Sequence, residues 1–175
     1  MLAVGEQRGF VVESKRLLRR DMSGLVCSVF PQGRAALILR HPTTGSRISL
    51  YPEQSFGRSS TKGFYSLSYQ KRPDICIVCE EVEAPPQLLL FDPKYKLISE
   101  EKGTMNDSRP LREDIDKMHT YRDAIRHEEI ERPVSFAGII YPGKPEHFTN
   151  GLGAIACIPR YTGQDDTQEQ PDRYF

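Results

Sequence analysis

Short apolar runs of β-strand length alternate with turn-forming residues over the first half of the chain. Clusters such as Pro31-Gln-Gly33 separate these runs, which is typical of strands joined by turns. Two later runs, residues 74–81 and 87–92, are dense enough in Ile, Val, Leu and Cys to indicate strands buried on both faces at the centre of a sheet. Residues 83–86, Glu-Ala-Pro-Pro, predict the turn between them. The other predicted strands are residues 25–30, 34–40, 47–51 and 64–69.

A single amphipathic helix is predicted after this region, over residues 111–130. Acidic residues crowd its first turn, where the helix dipole is positive, and Pro133 is expected to close it. Its apolar face consists of Leu111, Ile115, Met118, Tyr121 and Ile125. The remaining predictions are loops at 54–63, 99–109 and 142–151, strands at 134–141 and 152–158, and a disordered acidic tail at 162–175.

Composition places the chain among globular domains of ordinary size. It has 175 residues, of which 38% are hydrophobic and 27% charged. No run approaches the roughly 18 apolar residues of a membrane span, and the N-terminus lacks the apolar region of a secretory signal. Four cysteines are too few and too scattered for a disulfide scaffold. We therefore expect one cytoplasmic domain with no membrane association.

Charge is distributed unevenly although the formal net charge is zero. Residues 1–72 hold 12 of the 24 basic residues but only 4 of the 24 acidic ones. Such asymmetry indicates a side that faces a polyanion and a side rich in carboxylates. The densest basic cluster is Lys15, Arg16, Arg19 and Arg20, with Arg34, Arg40 and Arg47 on the following predicted strands.

Two aspartates and a lysine form the chemically most informative set. If residues 74–92 form an antiparallel hairpin centred on Glu83, Asp74 lies opposite Asp92, with Cβ atoms about 5 Å apart. Carboxylates that close repel unless a cation lies between them, and Mg²⁺ suits such oxygen ligands. Lys94 shares the strand face of Asp92, so its ammonium group can hold an attacking water or stabilise charge on a phosphate. The set predicts metal-assisted phosphodiester hydrolysis, with Asp74 and Asp92 as metal ligands.

The same residues carry a family resemblance. Pro73-Asp74 followed by Asp92-Pro93-Lys94 at the end of an apolar strand resembles the PD-(D/E)xK nuclease superfamily. The stretches LLLFDPKYKL (88–97) and DIDKMHTYRDAI (114–125) resemble its McrC-like branch, named after the nuclease subunit of modified-cytosine restriction systems. The resemblance covers roughly residues 64–160.

The McrC-like branch also has a helix motif, in which Asp is followed by Gln or Lys three residues later and by Tyr seven residues later. Asp114, Lys117 and Tyr121 have these spacings, and such positions share one helix face. The resemblance therefore implies site roles for Lys117 and Tyr121 beside the two aspartates and Lys94. Lys117 is otherwise a solvated lysine, and Tyr121 fits the apolar core.

The fold implied by the resemblance is α/β, with a restriction-endonuclease-like mixed central β-sheet flanked by helices. The first core helix of that fold is expected to be truncated, since the chain opens with the end of a helix, which suggests a missing upstream part. In this family the first core helix often carries a further acidic site residue. Only Glu6 or Glu13 could take that role here, and the sequence does not decide between them. We expect one nuclease-like domain over residues 1–161, with a basic β-rich part at 1–63 and a catalytic core at 64–161.

The implied function is a Mg²⁺-dependent DNA endonuclease of restriction or defence type, with Mn²⁺ as an alternative ion. The chain contains no visible helix-turn-helix or zinc finger, so DNA recognition is expected in an upstream part or a partner. The resemblance implies an AAA+ nucleotide-hydrolysing partner protein and leaves a homodimer open. Two alternatives remain: an inactive nuclease-like module that binds nucleic acid or acts as a scaffold, and a plain α/β binding domain with accidental motif matches.

Other chemically suggestive residues have simpler explanations. Cys76 and Cys79 have the spacing of a zinc or redox half-site, but residues three apart on a strand point to opposite faces, and no second pair completes four ligands. His119 and His127 lack a catalytic partner at a suitable spacing and are expected on the surface of the helix. The glycines of Gly151-Leu-Gly153 are expected to form only a turn, since no helix follows them.

Overall fold

The computed structural model describes residues 2–16, 19–20, 27–28, 33–94 and 109–157. In these ranges the helices are α1 (Leu2–Gln7) and α2 (Arg112–Ala124). The strands are β1 (Val11–Lys15), β2 (Arg19–Arg20), β3 (Cys27–Ser28), β4 (Leu37–Arg40), β5 (Arg47–Pro52), β6 (Phe64–Ser66), β7 (Ile75–Glu81), β8 (Ala84–Pro93), β9 (Ile125–His127), β10 (Val134–Tyr141), β11 (Glu146–Phe148) and β12 (Leu152–Ala156).

Eight of these strands form one mixed sheet in the order β1-β4-β5-β7-β8-β10-β12-β11. Neighbours from β1 to β8 are antiparallel, whereas β10 is parallel to both β8 and β12. The predicted mixed α/β fold is confirmed, and the two densest apolar runs lie where their apolar content indicates, as the two central strands β7 and β8. The strand β5 pairs directly with β7, so residues on both sides of position 63 contribute to the same sheet.

The hairpin of β7 and β8 has the register expected from a turn at Glu83. Ile75 lies opposite Phe91 and Cys76 opposite Leu90. The turn itself is shorter than the predicted 83–86, because Val82 and Glu83 alone form it, with Glu83 at φ 70°. The next residues, Ala84 to Pro86, already belong to β8. Prolines are tolerated at the start of a strand, where few ladder hydrogen bonds are needed.

The core lies between the sheet and α2. Cys76, Leu88 and Leu90 contribute fully buried side chains from the central strands, and Met118 lies opposite them on α2. The other buried members of this core are Phe56, Phe64, Ile115, Tyr121, Ile125, Val134, Ala137, Ile139, Tyr141, Leu152 and Ala154. This packing fixes α2 across β10 and β12, beside the end of β8.

The helix α2 is shorter than predicted. It ends at Ala124 rather than at residue 130, because Ile125–His127 turns into the extended strand β9 and pairs with β6. His127, expected on the helix surface, is instead 8% exposed, with its ring 4.5 Å from that of Phe64. Ile125 points into the core in either conformation, so the apolar periodicity could not reveal where the helix ends.

Further differences concern the ends of strands and the loops. The predicted loop 142–151 contains the short strand β11, which pairs with β12 at the edge of the sheet. Strands predicted at 34–40, 64–69 and 152–158 occur as the shorter β4, β6 and β12. The predicted strand 25–30 is described only at residues 27–28, and the tail 162–175 and all but the last residue of the loop 99–109 lie outside the described residues. In the described ranges, no helix is long and apolar enough to cross a membrane.

Candidate active site

Asp74, Asp92 and Lys94 converge at one end of the central strands β7 and β8. Asp74 immediately precedes β7, Asp92 is the penultimate residue of β8, and Lys94 follows that strand. The observed register, continued by one residue beyond the Ile75–Phe91 pair, puts Asp74 opposite Asp92. The carboxylate of Asp92 is near enough to raise the pKa of the Asp74 carboxyl. The structure thus brings the predicted pair together.

Asp92 is a buried carboxylate contacted by two ammonium groups. Its side chain is 0% exposed, and its Oδ1 lies 2.7 Å from Nζ of Lys94. Nζ of Lys117 donates a hydrogen bond to the other oxygen, Oδ2. Oδ1 accepts no hydrogen bond of good geometry from the described residues. A buried carboxylate is stable only with such cationic partners, since burial without them costs several kcal/mol.

The two aspartates differ in their acidity. Burial raises the pKa of the Asp74 carboxyl, and the neighbouring Asp92 carboxylate raises it further. Burial alone would also raise the pKa of Asp92, but hydrogen bonds and charge from Lys117 and Lys94 outweigh it and hold that pKa below its usual value. Asp92 is therefore the anchored anion of the pair, and Asp74 is the member whose negative charge most needs a further cation.

Lys117 and Tyr121 lie one helical turn apart on the face of α2 that points at the strand ends. Burial lowers the pKa of Lys117, but the hydrogen bond and charge of Asp92 outweigh this and raise it overall. Its Nζ lies 5.4 Å from the centre of the Tyr121 ring. Tyr121 is 6% exposed, and its hydroxyl donates a 3.0 Å hydrogen bond to the carbonyl oxygen of Arg72. Tyr121 thus belongs to the core and also ties α2 to the segment that leads into Asp74.

Asp114 joins this group, although the residues expected at the site did not include it. It is 9% exposed on the first turn of α2, and its Oδ1 lies 3.6 Å from Nζ of Lys94. Lys94 is therefore held between Asp92 and Asp114. The signal for Asp114 was present in the sequence as the helical spacing of Asp114, Lys117 and Tyr121, which puts all three on one face of α2.

The chemistry of these donors suits a hard divalent cation. Mg²⁺ is commonly held by one or two carboxylates, with waters and substrate phosphate oxygens completing its octahedron. Asp74 and Asp92 supply such a pair, and Oδ1 of Asp92, which contacts Nζ of Lys94, has a second lone pair available for an ion. Among the described residues, no three His, Cys, Asp or Glu side chains surround a common point. The pair of Asp74 and Asp92 is compatible with a two-carboxylate Mg²⁺ site.

The remaining candidates lie away from this cluster or have structural roles. Cys76 and Cys79 are free thiols on opposite faces of β7, the first buried and the second half-buried. Burial raises the pKa of Cys76 to about 12. His119 is exposed, as expected. Of the two acidic residues that could stand in for a helix-borne ligand, Glu13 pairs with Arg47 at 3.1 Å and Glu6 is exposed on α1.

Comparison with known proteins gives one match. The family model of the PD-(D/E)XK nuclease superfamily matches residues 2–146, most of the chain. No curated protein and no solved structure matches at the level of significance required.

Proposed function

The chain belongs to the PD-(D/E)XK nuclease superfamily, and from this membership we propose that it is a divalent-metal-dependent deoxyribonuclease with its active site at Asp74, Asp92 and Lys94. The single observation that carries the proposal is the convergence of these three side chains at the end of β7 and β8. In the same superfamily, activity usually depends on divalent metal ions. Mg²⁺ is the ion that the oxygen donors favour, with Mn²⁺ as the alternative.

Each residue has a distinct task in this proposal. Asp74 and Asp92 would hold the ion, which when bound supplies Lewis-acid polarisation of the phosphodiester and acidifies water. Lys94, fixed between Asp92 and Asp114, directs its ammonium group at the attacking water or at the charge that develops on the phosphate. Lys117 compensates the buried charge of Asp92, and Tyr121 positions α2 against the segment before Asp74.

The finer assignment is to the McrC-like branch, with a restriction or defence role on DNA. Its support is the helix motif, because Asp114, Lys117 and Tyr121 all lie on the face of α2 that meets the strand ends. On this assignment the chain is the nuclease piece of a larger protein or complex and works with an AAA+ partner that supplies DNA recognition or movement. A homodimer is the remaining option for assembly.

A cleavage assay with purified protein tests the proposal. Supercoiled plasmid DNA should be nicked or linearised with Mg²⁺ or Mn²⁺, and EDTA should abolish the reaction. Asp92→Asn should abolish it too, because the amide keeps the shape but loses the anion. Asp116→Asn is the matched control, since Asp116 lies on the outward face of α2 with its side chain 63% exposed. Cleavage by Asp92→Asn at the wild-type rate, or no cleavage with either ion, would refute the proposal.

One observation favours an inactive nucleic-acid-binding module instead. Both oxygens of Asp92 already face ammonium groups, and no third carboxylate in the described ranges completes a metal cluster. This alternative expects DNA binding that persists with Mg²⁺ while the DNA remains intact. The same plasmid assay, read together with a binding assay, therefore separates the two functions.

A further inference from the structure

A short loop between β6 and Asp74 exposes two apolar side chains to solvent. Leu67 is 58% exposed and Tyr69 is 80% exposed, the highest value among the large hydrophobic residues described. Neighbouring exposed apolar side chains that form a patch can mark a contact surface. Tyrosine in particular offers a flat ring with little conformational entropy to lose on binding.

Hydrogen bonds hold the loop in place from several sides. Backbone N–H groups of Ser66 and Leu67 donate to Gly57 O at 2.7 Å and Ala124 O at 2.9 Å. The Ser66 hydroxyl donates to the carbonyl of Tyr69 at 2.9 Å. Further hydrogen bonds connect Phe56 with Lys71, Arg58 with Ser68, and Gln70 with Ser55. The Tyr69 ring is therefore presented by an ordered backbone.

The same hydrogen bonds set the loop beside the candidate active site. The carbonyl that accepts from Leu67 belongs to Ala124, seven residues along α2 from Lys117, which corresponds to about 10 Å of helix. At the other end of the loop, the carbonyl of Arg72 accepts the hydroxyl of Tyr121, and Arg72 stands two residues before Asp74. About 10 Å is the span of roughly three phosphates along one strand of B-DNA.

The segment that ends in the loop is basic. Residues 54–73 contain four basic residues and no acidic residue, and the acidic residues Glu53 and Asp74 flank it. Arg58 and Lys62 are exposed, and Arg58 reaches Ser68 within the loop itself. Arg72 pairs with Glu53, which lies just outside this segment. An exposed aromatic ring among cations is the combination that binds single-stranded nucleic acid, by stacking on bases while the cations track the phosphates.

We propose that Leu67 and Tyr69 form a stacking platform for an unpaired nucleobase of the substrate strand, a few nucleotides from the scissile phosphate. In an intact duplex the faces of the bases are covered by their neighbours, so a protruding ring gains a partner only where a base is unpaired. The preferred substrate class is therefore DNA with unpaired nucleotides near the cleavage point, such as single strands, flaps or gaps. This inference rests on the proposed nuclease function for its location, but not for its test.

Binding without cleavage is the appropriate measurement. Fluorescence anisotropy in EDTA would compare labelled single-stranded and duplex oligonucleotides of the same length. Tyr69→Ala should weaken single-strand binding by about 5- to 150-fold, the range found when one stacked base loses its aromatic partner. Tyr69→Phe should bind like the wild type, because the ring is retained. Phe148→Ala, on the edge strand β11 where Phe148 is 37% exposed, is the control for an exposed aromatic ring outside the loop and should have no effect.

The outcomes also separate this inference from the nuclease proposal. Unchanged single-strand binding by a folded Tyr69→Ala variant, or an equal loss on duplex DNA, would overturn the stacking platform, and a surface for protein contact would then explain the exposed pair. If that variant still cuts DNA with Mg²⁺ like the wild type, the proposed nuclease function is supported and the stacking platform is not. Tyr69-dependent binding in a wild-type protein that never cuts DNA would support the platform and overturn the nuclease.

Discussion

At the scale of single residues, Asp92 is the centre of the site. A fully buried carboxylate requires compensation, and here Lys94 and Lys117 provide it from a strand end and a helix. The sequence predicted the first contact because Asp92 and Lys94 are two apart on one strand face. The involvement of Lys117 came only from a family spacing, since a lysine on a helix is otherwise expected in solvent. The ion pair between Asp114 and Lys94 depends on the angle at which α2 crosses the sheet. The apolar periodicity of the helix does not specify that angle.

The thiols give a residue-level prediction. Cys76 is fully buried with a pKa raised to about 12 by burial, so almost no thiolate forms at pH 8. Alkylation of the native protein, followed by mass spectrometry of individual peptides, should label the exposed Cys157 quickly and Cys76 only after unfolding. Labelling of native Cys76 at the rate of Cys157 would contradict the packing of β7. A redox role for the Cys76–Cys79 pair would require the opposite reactivity.

At the scale of elements, local pattern predicted what lies in the middle of each element better than what lies at its ends. The position of the turn at Glu83 predicted the register of β7 and β8. This register is strongly specified, because a one-residue slip would move every side chain to the other face of the sheet. The end of α2 could not be predicted, since Ile125 is buried as part of β9 while its spacing from Tyr121 also fits the apolar face of a helix. The strands β6 and β9 pair although they are about 60 residues apart in the sequence. This pairing makes residues 125–127 extended, whereas the local apolar pattern favours a helix.

Two glycines with similar backbone conformations test the packing around the sheet edge. Gly151 has φ 72° before β12, and a Cβ there would lie 2.2 Å from the carbonyl oxygen of Ser135. Gly33 has φ 67°, and a Cβ there would meet none of the described residues within 4 Å. Gly33→Ala should cost about 1–2 kcal/mol of unfolding free energy from its left-handed conformation alone. Gly151→Ala should cost a further 1–3 kcal/mol or so, because backbone must move.

Urea denaturation of both variants measures this difference directly. Equal destabilisation by Gly33→Ala and Gly151→Ala would mean that β10 and the turn before β12 are not in the close contact described.

At the scale of the whole molecule, basic residues and the candidate active-site carboxylates lie in different parts of the sheet. Lys15 and Arg16 are exposed at β1, the edge of the sheet, four strands from β8. With strands about 4.8 Å apart, that edge lies about 19 Å from the strand that carries Asp92. The basic edge and the carboxylates are therefore separate regions of one sheet, and DNA that reaches both would have to lie across β4, β5 and β7.

The salt dependence of DNA binding tests whether the basic cluster of Lys15, Arg16, Arg19 and Arg20 holds DNA. The double charge reversal Arg19→Glu, Arg20→Glu should lower DNA affinity and flatten the plot of log affinity against log salt. The slope on duplex DNA should change by about 0.9 for each phosphate that the two arginines neutralise in the wild type. Metal binding should not change, because the carboxylates are far along the chain. An unchanged affinity and slope in the double variant would place the DNA path elsewhere.

The rate of DNA cleavage by Lys94→Ala is the sharpest test of the proposed active site. Lys94 contacts Asp92 and Asp114 but is no metal ligand, so its loss removes one ammonium group while Lys117 still compensates the buried charge of Asp92. Single-turnover rates at saturating protein and Mg²⁺ exclude effects on DNA affinity, and Arg132→Ala provides a control at an exposed basic residue outside the basic cluster. We expect a loss of about 10²–10³-fold for Lys94→Ala and no loss for Arg132→Ala. A Lys94→Ala protein that cuts DNA as fast as the wild type would contradict the proposed active site.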